Sequence, residues 1–312
     1  MKAGTAEKTA ARAMGKYRKR GFILAFLTPC TILFLIVYAY PLITIFLTSF
    51  CKWNYENFTA PEFLGWSNLF DNYSKLFRYD ANFKMALVNS LKWVALTLLI
   101  QVPFTILVAL TLSKKMRGWK FTRNMFLIPN IISTAAIGLI FLNLYSPARG
   151  IVTELCNLIW PGSDVSVLSN SKYAFWGVTF TFILFGGSNC LLLLTQIFSI
   201  DPAVYEAARI DGASEAKTFI SIVLPMVKPG IGALAIFTFI NSWNDYFMQL
   251  IMLSSTSNLT ISLGIAKLQA ENSTDFGLIM AGAALAAVPI IIIFLIFQKY
   301  FTKGIAMGAV KG

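Results

Sequence analysis

The chain has 312 residues, of which 57% are hydrophobic and only 13% are charged, and its mean hydropathy is +0.67. This composition excludes an ordinary soluble domain, because so much apolar surface needs lipid as a second solvent. The absence of histidine excludes Ser/His/Asp triads and HExxH zinc sites, and four widely spaced cysteines indicate neither a zinc ribbon nor a dithiol redox site. We therefore predict no metal site and no catalytic residues in this chain.

The beginning of the chain is basic and is followed by a long apolar run. Residues 1–21 carry seven Lys or Arg and a single Glu. The run at 22–50 is too long for the core of a signal peptide, and no small-residue cleavage site follows it promptly. It predicts an uncleaved first transmembrane helix. The aromatic-rich segment 51–84 is expected to form an ordered outer loop at the level of the lipid headgroups.

Five further apolar stretches are each long enough to cross a hydrocarbon core of ~30 Å. They lie near Trp93–Ser113, Met125–Tyr145, Tyr173–Phe198, Gly230–Leu253 and Leu278–Phe297. The sequence thus predicts an all-α polytopic membrane protein with six transmembrane helices, five of them in a module at 85–299, and a short tail at 300–312.

The distribution of Lys and Arg sets the predicted orientation, because cytoplasmic segments near membrane ends are enriched in these residues. With the N-terminus inside, the inside segments hold 18 basic residues and the outside segments seven. We therefore predict a cytoplasmic N-terminus and a cytoplasmic C-terminus. The formal net charge of +12 is then explained by topology, so nucleic-acid binding is not expected.

The inside segment 199–228 differs from the others because it is net acidic. Asp201-Pro202 is a helix-start signal, an N-cap acceptor followed by proline at the first helical position. Gly212 is placed to end this short helix in the left-handed conformation. A second helix is predicted from Ser214 to Leu224, where Pro225 would break it.

The first of these short helices has the character of a docking surface. Ala207 and Ala208 would let another protein approach closely, and Glu206 offers a carboxylate to an Arg or Lys. The alternative is an interfacial helix resting on lipid headgroups, but such helices are usually rich in Lys and Arg.

These residues also resemble a known family. Glu206-Ala207-Ala208, Gly212 and Ile222-x-Leu224-Pro225 are similar to the EAA loop of permease subunits in bacterial binding-protein-dependent ABC importers. Several segments are similar to those of the carbohydrate and glycerol-3-phosphate branch of this family. They are Tyr205–Ala213, Asn89-Ser90, Pro129-Asn130, Ser242-Trp243-Asn244-Asp245 and the C-terminal tail. The N-terminal third resembles the maltose F-type permease, whereas the Ser242–Asp245 segment and the tail resemble the G-type, so the partner role stays open.

The resemblance implies a type I ABC importer permease fold in the cytoplasmic membrane of a bacterium. It also implies partners: a second permease, two ATPase subunits, and an extracytoplasmic solute-binding protein that delivers a carbohydrate. The sequence has no GxxxxGK[ST] phosphate loop, so we expect no cofactor on this chain and ATP-Mg on the partner ATPase. The residues implied to dock that ATPase are Glu206, Ala207, Ala208, Arg209, Asp211 and Gly212.

Polar residues inside the apolar spans are the candidates for the substrate path, since lipid penalises them. They are Asn241, Trp243, Asn244, Asp245 and Tyr246 in the fifth span and Asn189 in the fourth. The two ring side chains could supply flat surfaces for sugars. The alternative is that these groups join two permeases or fix a kink.

Two other classes of function agree less well with the sequence. A secondary transporter or channel working without ATP would typically show inverted repeats or paired intramembrane charges, and a lone Asp245 with no repeat argues against it. A membrane enzyme is disfavoured because no nucleophile–base pair is evident. Among cargoes, glycerol-3-phosphate is disfavoured relative to a sugar because the inner spans show no Arg cluster.

Overall fold

A computed structural model describes residues 21–148, 150–159, 167–186 and 189–309, and these residues are mostly helical. The predictions for nearly all of the basic N-terminus and for the last three residues lie outside the described residues.

The described part of the chain contains long apolar helices, short connecting helices and one small hairpin. In chain order the helices are α1 (Gly21–Thr48), α2 (Asp71–Tyr79), α3 (Ala81–Ser113), α4 (Trp119–Ile131), α5 (Thr134–Leu144), α6 (Ile151–Ile159), α7 (Ser171–Gly186), α8 (Cys190–Phe198), α9 (Pro202–Ile210), α10 (Glu215–Met226), α11 (Lys228–Asn244), α12 (Phe247–Met252), α13 (Ile261–Glu271) and α14 (Phe276–Ala309). The strands are β1 (Cys51–Lys52) and β2 (Glu62–Phe63), and 3₁₀ turns lie at Trp66–Asn68 and Thr256–Asn258.

Among the described residues, three helices are long and apolar enough to cross a membrane: α1, α3 and the Phe276–Tyr300 part of α14. Two bent pairs, α4 with α5 and α10 with α11, raise the number to at most five. A polytopic helical protein is therefore confirmed, whereas six spans are not. The predicted fourth span is divided between α7 and α8, on either side of residues 187–188.

Three prolines of the apolar helices, Pro41, Pro103 and Pro225, follow a local widening of the helix. Five-residue π-helical turns lie directly before Pro41, Pro103 and Pro225, at Leu35–Ala39, Thr97–Gln101 and Phe219–Val223. Proline lacks an N–H donor and clashes with the carbonyl four residues earlier, and a wider turn relieves both problems. The prediction that Pro225 breaks the chain after Leu224 was therefore wrong, since α10 continues to Met226.

The chain divides into two compact units. The first combines 21–72 with 274–284, and its loop is ordered by polar and aromatic contacts. The Asn72 side-chain amide donates to the carbonyls of Ser49 and Cys51, each at 2.9 Å. The Phe276 ring lies 5.2 to 5.5 Å from three aromatic rings of the loop. The expected order of this aromatic segment is thus present.

The second unit combines 73–273 with 285–309, and it contains the hydrophobic cores that position the candidate sites. One core gathers α3, α5, α7 and α12 around the buried Trp93. Another joins the C-terminal half of α3 to α8 and α10 through Leu112, Leu193 and Val223. The short helix α9 rests on this second core through Val204 and Tyr205. A helix of only nine residues is thereby stabilised by packing.

Gly230 allows α11 to approach α8 closely, which generates a prediction. A Cβ atom at this position would overlap the side chain of the buried Gln196. Alanine in place of glycine normally stabilises a helix by about 1 kcal/mol, but overpacking here should cost about 1 to 3 kcal/mol. We expect Gly230→Ala to lower the thermal unfolding temperature of the purified protein in detergent.

The matched control for Gly230→Ala is Gly138→Ala in α5. There the added methyl group meets Ile251 at 3.4 to 3.5 Å, an ordinary van der Waals contact. This variant should unfold at or above the wild-type temperature. Equal stability of the two variants would contradict the close approach of α11 and α8.

Candidate functional site

The acidic segment 199–228 folds into two short helices that meet at a corner, as predicted. At its start the Asp201 carboxylate accepts a hydrogen bond from the Ala203 backbone amide at 2.9 Å, and Pro202 occupies the first helical position. Asp201 thus satisfies one of the amide groups that a helix start leaves unpaired. We call residues 201–226 the elbow.

The corner of the elbow requires glycine. Gly212 has φ = +71°, a conformation that side chains disfavour. The Ala213 amide donates to the Ala208 carbonyl at 2.9 Å and the Gly212 amide to the Arg209 carbonyl at 3.1 Å, which is the hydrogen-bonding pattern of a Schellman helix end. The Ser214 hydroxyl then accepts from the Lys217 amide at 3.3 Å and starts α10. Both helix ends at the corner are fixed by local hydrogen bonds.

The helix α9 has an inner and an outer face. Ala208 is only 3% exposed and lies on the inner face. Of the predicted docking residues, the exposed ones are Glu206, Ala207, Arg209, Asp211 and Gly212. The two alanines therefore differ in placement: Ala207 belongs to the available surface, and Ala208 lets α9 pack closely against its own chain.

The elbow also carries an ion pair at the start of α10. The Lys114 ammonium lies 2.7 Å from the Glu215 carboxylate. This hydrogen bond is the main reason that the pKa of Glu215 lies below its usual value. The carboxylates that remain on the exposed face of α9 and its corner are those of Glu206 and Asp211.

The second candidate site surrounds a break in the predicted fifth span. The continuous helix expected from Gly230 to Leu253 was wrong, because α11 ends at Asn244 and α12 begins at Phe247. Between them Asp245 is extended, with φ = −63° and ψ = 126°. The break places Asp245 between two helix ends, as the kink alternative anticipated.

The predicted path residues have different surroundings. Trp243 is 2% exposed, and its indole N–H donates to the Ala286 carbonyl at 3.0 Å, so its ring packs inside the unit rather than facing an open surface. Tyr246 is half-buried against the core cluster that contains Leu259. Asn241 and Asn244 are exposed, three residues apart on one face of the last turn of α11. Asn189 is half-buried immediately before α8.

Sequence reasoning missed Gln249, one turn after Asp245. Gln249 is fully buried, and neither polar atom of its side-chain amide has a hydrogen-bond partner among the described residues. One carboxylate oxygen of Asp245, which is 9% exposed, is also buried without a partner. An unpaired buried polar group costs about 1 to 3 kcal/mol. The signal in the sequence was a single glutamine within the apolar run of α12.

Comparison with known protein families matches residues 101–307 to the family described as binding-protein-dependent transport system inner membrane component. This match covers about two thirds of the chain, and the chain belongs to that family. It is therefore a membrane-embedded transport component rather than an enzyme.

Individual relatives are similar over different lengths. The arabinooligosaccharides transport system permease protein AraQ of Halalkalibacterium halodurans is 39% identical over 107 residues, and the match spans 34% of this chain and only 38% of AraQ. The probable ABC transporter permease protein YurM of Bacillus subtilis is 28% identical over 295 residues, 90% of this chain and 86% of YurM.

A solved structure shares the fold. It is the crystal structure of a bacterial alginate ABC transporter in complex with an alginate pentasaccharide-bound periplasmic protein. One of its chains has a TM-score of 0.74 with 24% sequence identity, and the match covers 90% of this chain and 94% of that chain. The type I ABC permease-like fold expected from the sequence is thus supported over most of the chain.

The unpaired Gln249 predicts opposite effects on stability and transport. Replacing it with methionine removes two unsatisfied polar atoms, so Gln249→Met should raise the free energy of unfolding by about 1 kcal/mol. If the amide binds solute, uptake should fall about tenfold, the equivalent of one buried hydrogen bond. Thermal unfolding and solute uptake measured on the same preparation test both effects.

Met252→Leu is the control for Gln249→Met, because Met252 is buried in the same helix and the exchange conserves volume. It should leave uptake at the wild-type level. Unchanged uptake in Gln249→Met would contradict a solute-binding role for Gln249. A loss of stability in this variant would contradict the cost assigned to the unpaired amide.

Proposed function

We propose that this chain is one of two permease subunits of an ATP-driven importer, and that it forms part of the translocation path for a carbohydrate. The proposal joins two features: apolar helices of membrane-spanning length, and the separate exposed face of α9. The observation that carries it is the construction of the elbow. Because α9 is capped and packs on the core, a force applied to the exposed Glu206 can move this helix as a unit without unfolding it.

The proposed motor is a pair of ATPase subunits that bind ATP-Mg, because the sequence of this chain has no phosphate loop. A basic group on the ATPase would pair with Glu206, and the Ala207 side would admit close backbone contact. Closure of the ATPase pair would then move α9 as a rigid body and tilt the helices joined to it. The path would open alternately to the two sides of the membrane.

The proposed cargo is a carbohydrate. The relative AraQ is by its name an arabinooligosaccharide permease, and the alginate transporter was solved with a sugar-loaded periplasmic protein. By analogy, an extracytoplasmic binding protein would deliver a sugar to the outer loops of this chain and of a second permease. Asn241, Asn244, Asp245 and Gln249 supply hydrogen-bonding groups that suit sugar hydroxyls.

The proposed setting is the cytoplasmic membrane of a bacterium, with both termini in the cytoplasm. The support is the excess of Lys and Arg in the segments assigned to the inside. In this orientation the elbow faces the cytoplasm, where an ATPase can reach it.

Charge reversal on α9 tests the docking role. Glu206→Lys should place like charges against the ATPase and remove a charge-assisted hydrogen bond, lowering uptake about tenfold or more. Co-purification of the ATPase with the permease should fall as well, while membrane insertion stays intact. Both quantities are measured with the four-subunit complex, in affinity pull-downs and in vesicles.

The matched control for Glu206→Lys is Glu154→Lys, the same reversal on an exposed residue of α6. It should leave co-purification and uptake unchanged. Wild-type behaviour of Glu206→Lys, or solute uptake by the permeases without any ATPase, would contradict the proposal and favour a transporter or channel that works without ATP.

A further inference from the structure

One turn of the chain contacts both ends of the segment that contains α9. This turn, residues 114–118, joins α3 to α4. The Lys114 ammonium is 2.7 Å from the Glu215 carboxylate at the start of α10. The Lys115 ammonium lies over the Phe198 ring at the end of α8, 5.1 Å from its centroid. The Trp119 ring meets Phe198 edge-on at 6.4 Å.

The backbone of this turn is closely defined. Lys115 has φ = +48° and Gly118 has φ = +88°, and a non-glycine residue in this region persists only where its surroundings hold it. The Lys115 amide donates to the Leu112 carbonyl at 3.2 Å, and the Trp119 amide to the Met116 carbonyl at 2.9 Å. The turn therefore has a fixed shape. Its two lysine side chains extend in different directions, Lys114 towards Glu215 and Lys115 towards Phe198.

The positions of the two contacts along the chain matter. Phe198 is the last residue of α8, three residues before the Asp201 cap, and Glu215 is the first residue of α10, three residues after Gly212. The turn thus bridges the entry and the exit of α9. Leu112, just before the turn, shares a core with α8 and α10. The end of α3 therefore contacts both of the helices that flank α9.

We propose that Lys114, Lys115, Phe198 and Glu215 form a clamp that makes α3 move together with the elbow. The inference rests on the proposed function, because it assigns the path by which a push on α9 reaches a membrane-spanning helix. We assign these four residues a positioning role, which acts through the contact between the turn and the elbow.

The clamp is suited to transmission rather than to holding the fold together. The side chains of Lys114 and Glu215 are 56% and 78% exposed, and ion pairs with such exposure contribute little to folding. Their loss should therefore leave the protein assembled. The effect should appear in the number of solute molecules moved per ATP hydrolysed. If the elbow moves relative to α3, part of its displacement is not transmitted to the membrane-spanning helix.

The test is a charge-swap cycle in the reconstituted four-subunit complex. Lys114→Glu and Glu215→Lys should each lower the ratio of solute uptake to ATP hydrolysis by about two- to fivefold, the range that an exposed pair can supply. The double variant restores opposite charges and should recover most of the ratio. Arg117→Glu, a reversal at an exposed residue of the same turn, is the control and should keep the wild-type ratio.

A covalent link provides an independent measurement. With the four native cysteines replaced by alanine, Lys114→Cys and Glu215→Cys are joined by a short bifunctional thiol reagent. If the turn and the elbow move together, the linked complex keeps its wild-type ratio, and each single-cysteine variant treated in the same way shows the lowered ratio. Arrest of transport by the link would overturn the clamp, since it would mean that the two parts must separate.

The outcomes distinguish the clamp from the proposed function. Wild-type ratios in both single variants, or a double variant no better than the singles, would overturn the clamp alone, provided that Glu206→Lys still releases the ATPase. If Glu206→Lys has no effect on ATPase binding or uptake, the docking role fails, and the clamp fails with it as a path for that motion.

Discussion

The structure of this chain depends on one constraint, the satisfaction of backbone hydrogen bonds where water is scarce. Inside a membrane an unpaired amide or carbonyl costs several kcal/mol, so every interruption of a helix needs a local solution. The three π-helical turns are one such solution, since each precedes a proline and rearranges the carbonyls that the proline leaves without a donor.

In the irregular segment after α12, side chains provide the hydrogen-bond partners of the backbone instead. The Asn89 amide donates to the carbonyls of Ser257 and Leu259, at 2.8 and 3.0 Å, and the Ser90 hydroxyl accepts from the Ile261 amide at 2.7 Å. These two adjacent residues of α3 replace the partners that a regular helix would provide. This pairing of backbone groups explains why Asn89 and Ser90 are polar. Asp245 and Gln249 differ from these two residues, because buried atoms of their side chains have no hydrogen-bond partner among the described residues.

The sequence alone predicts those features that depend on near neighbours. The Asp201 cap, the Gly212 corner and the Ser214 start lie within a few residues of the groups they satisfy, so their spacing is sufficient. The break at Asp245 was not predictable in this way, because the run from Gly230 to Leu253 is apolar enough for an unbroken helix. What supports the break comes from elsewhere in the chain, for example the Ser262 hydroxyl that donates to the Trp243 carbonyl at 3.1 Å.

The packing of the predicted site residues likewise depends on contacts with distant parts of the chain. Val204, Tyr205 and Ala208 share one face of α9, and the packing of that face on the core leaves Ala208 buried and Ala207 exposed. Trp243 satisfies its indole N–H within its own unit, which no local pattern reveals. The helix α9 of the elbow, by contrast, has ends fixed by local hydrogen bonds and packs on an apolar core formed by α3, α8 and α10. A short helix built in this way can transmit force, because its ends are fixed by hydrogen bonds and its inner face cannot slide without exposing buried side chains.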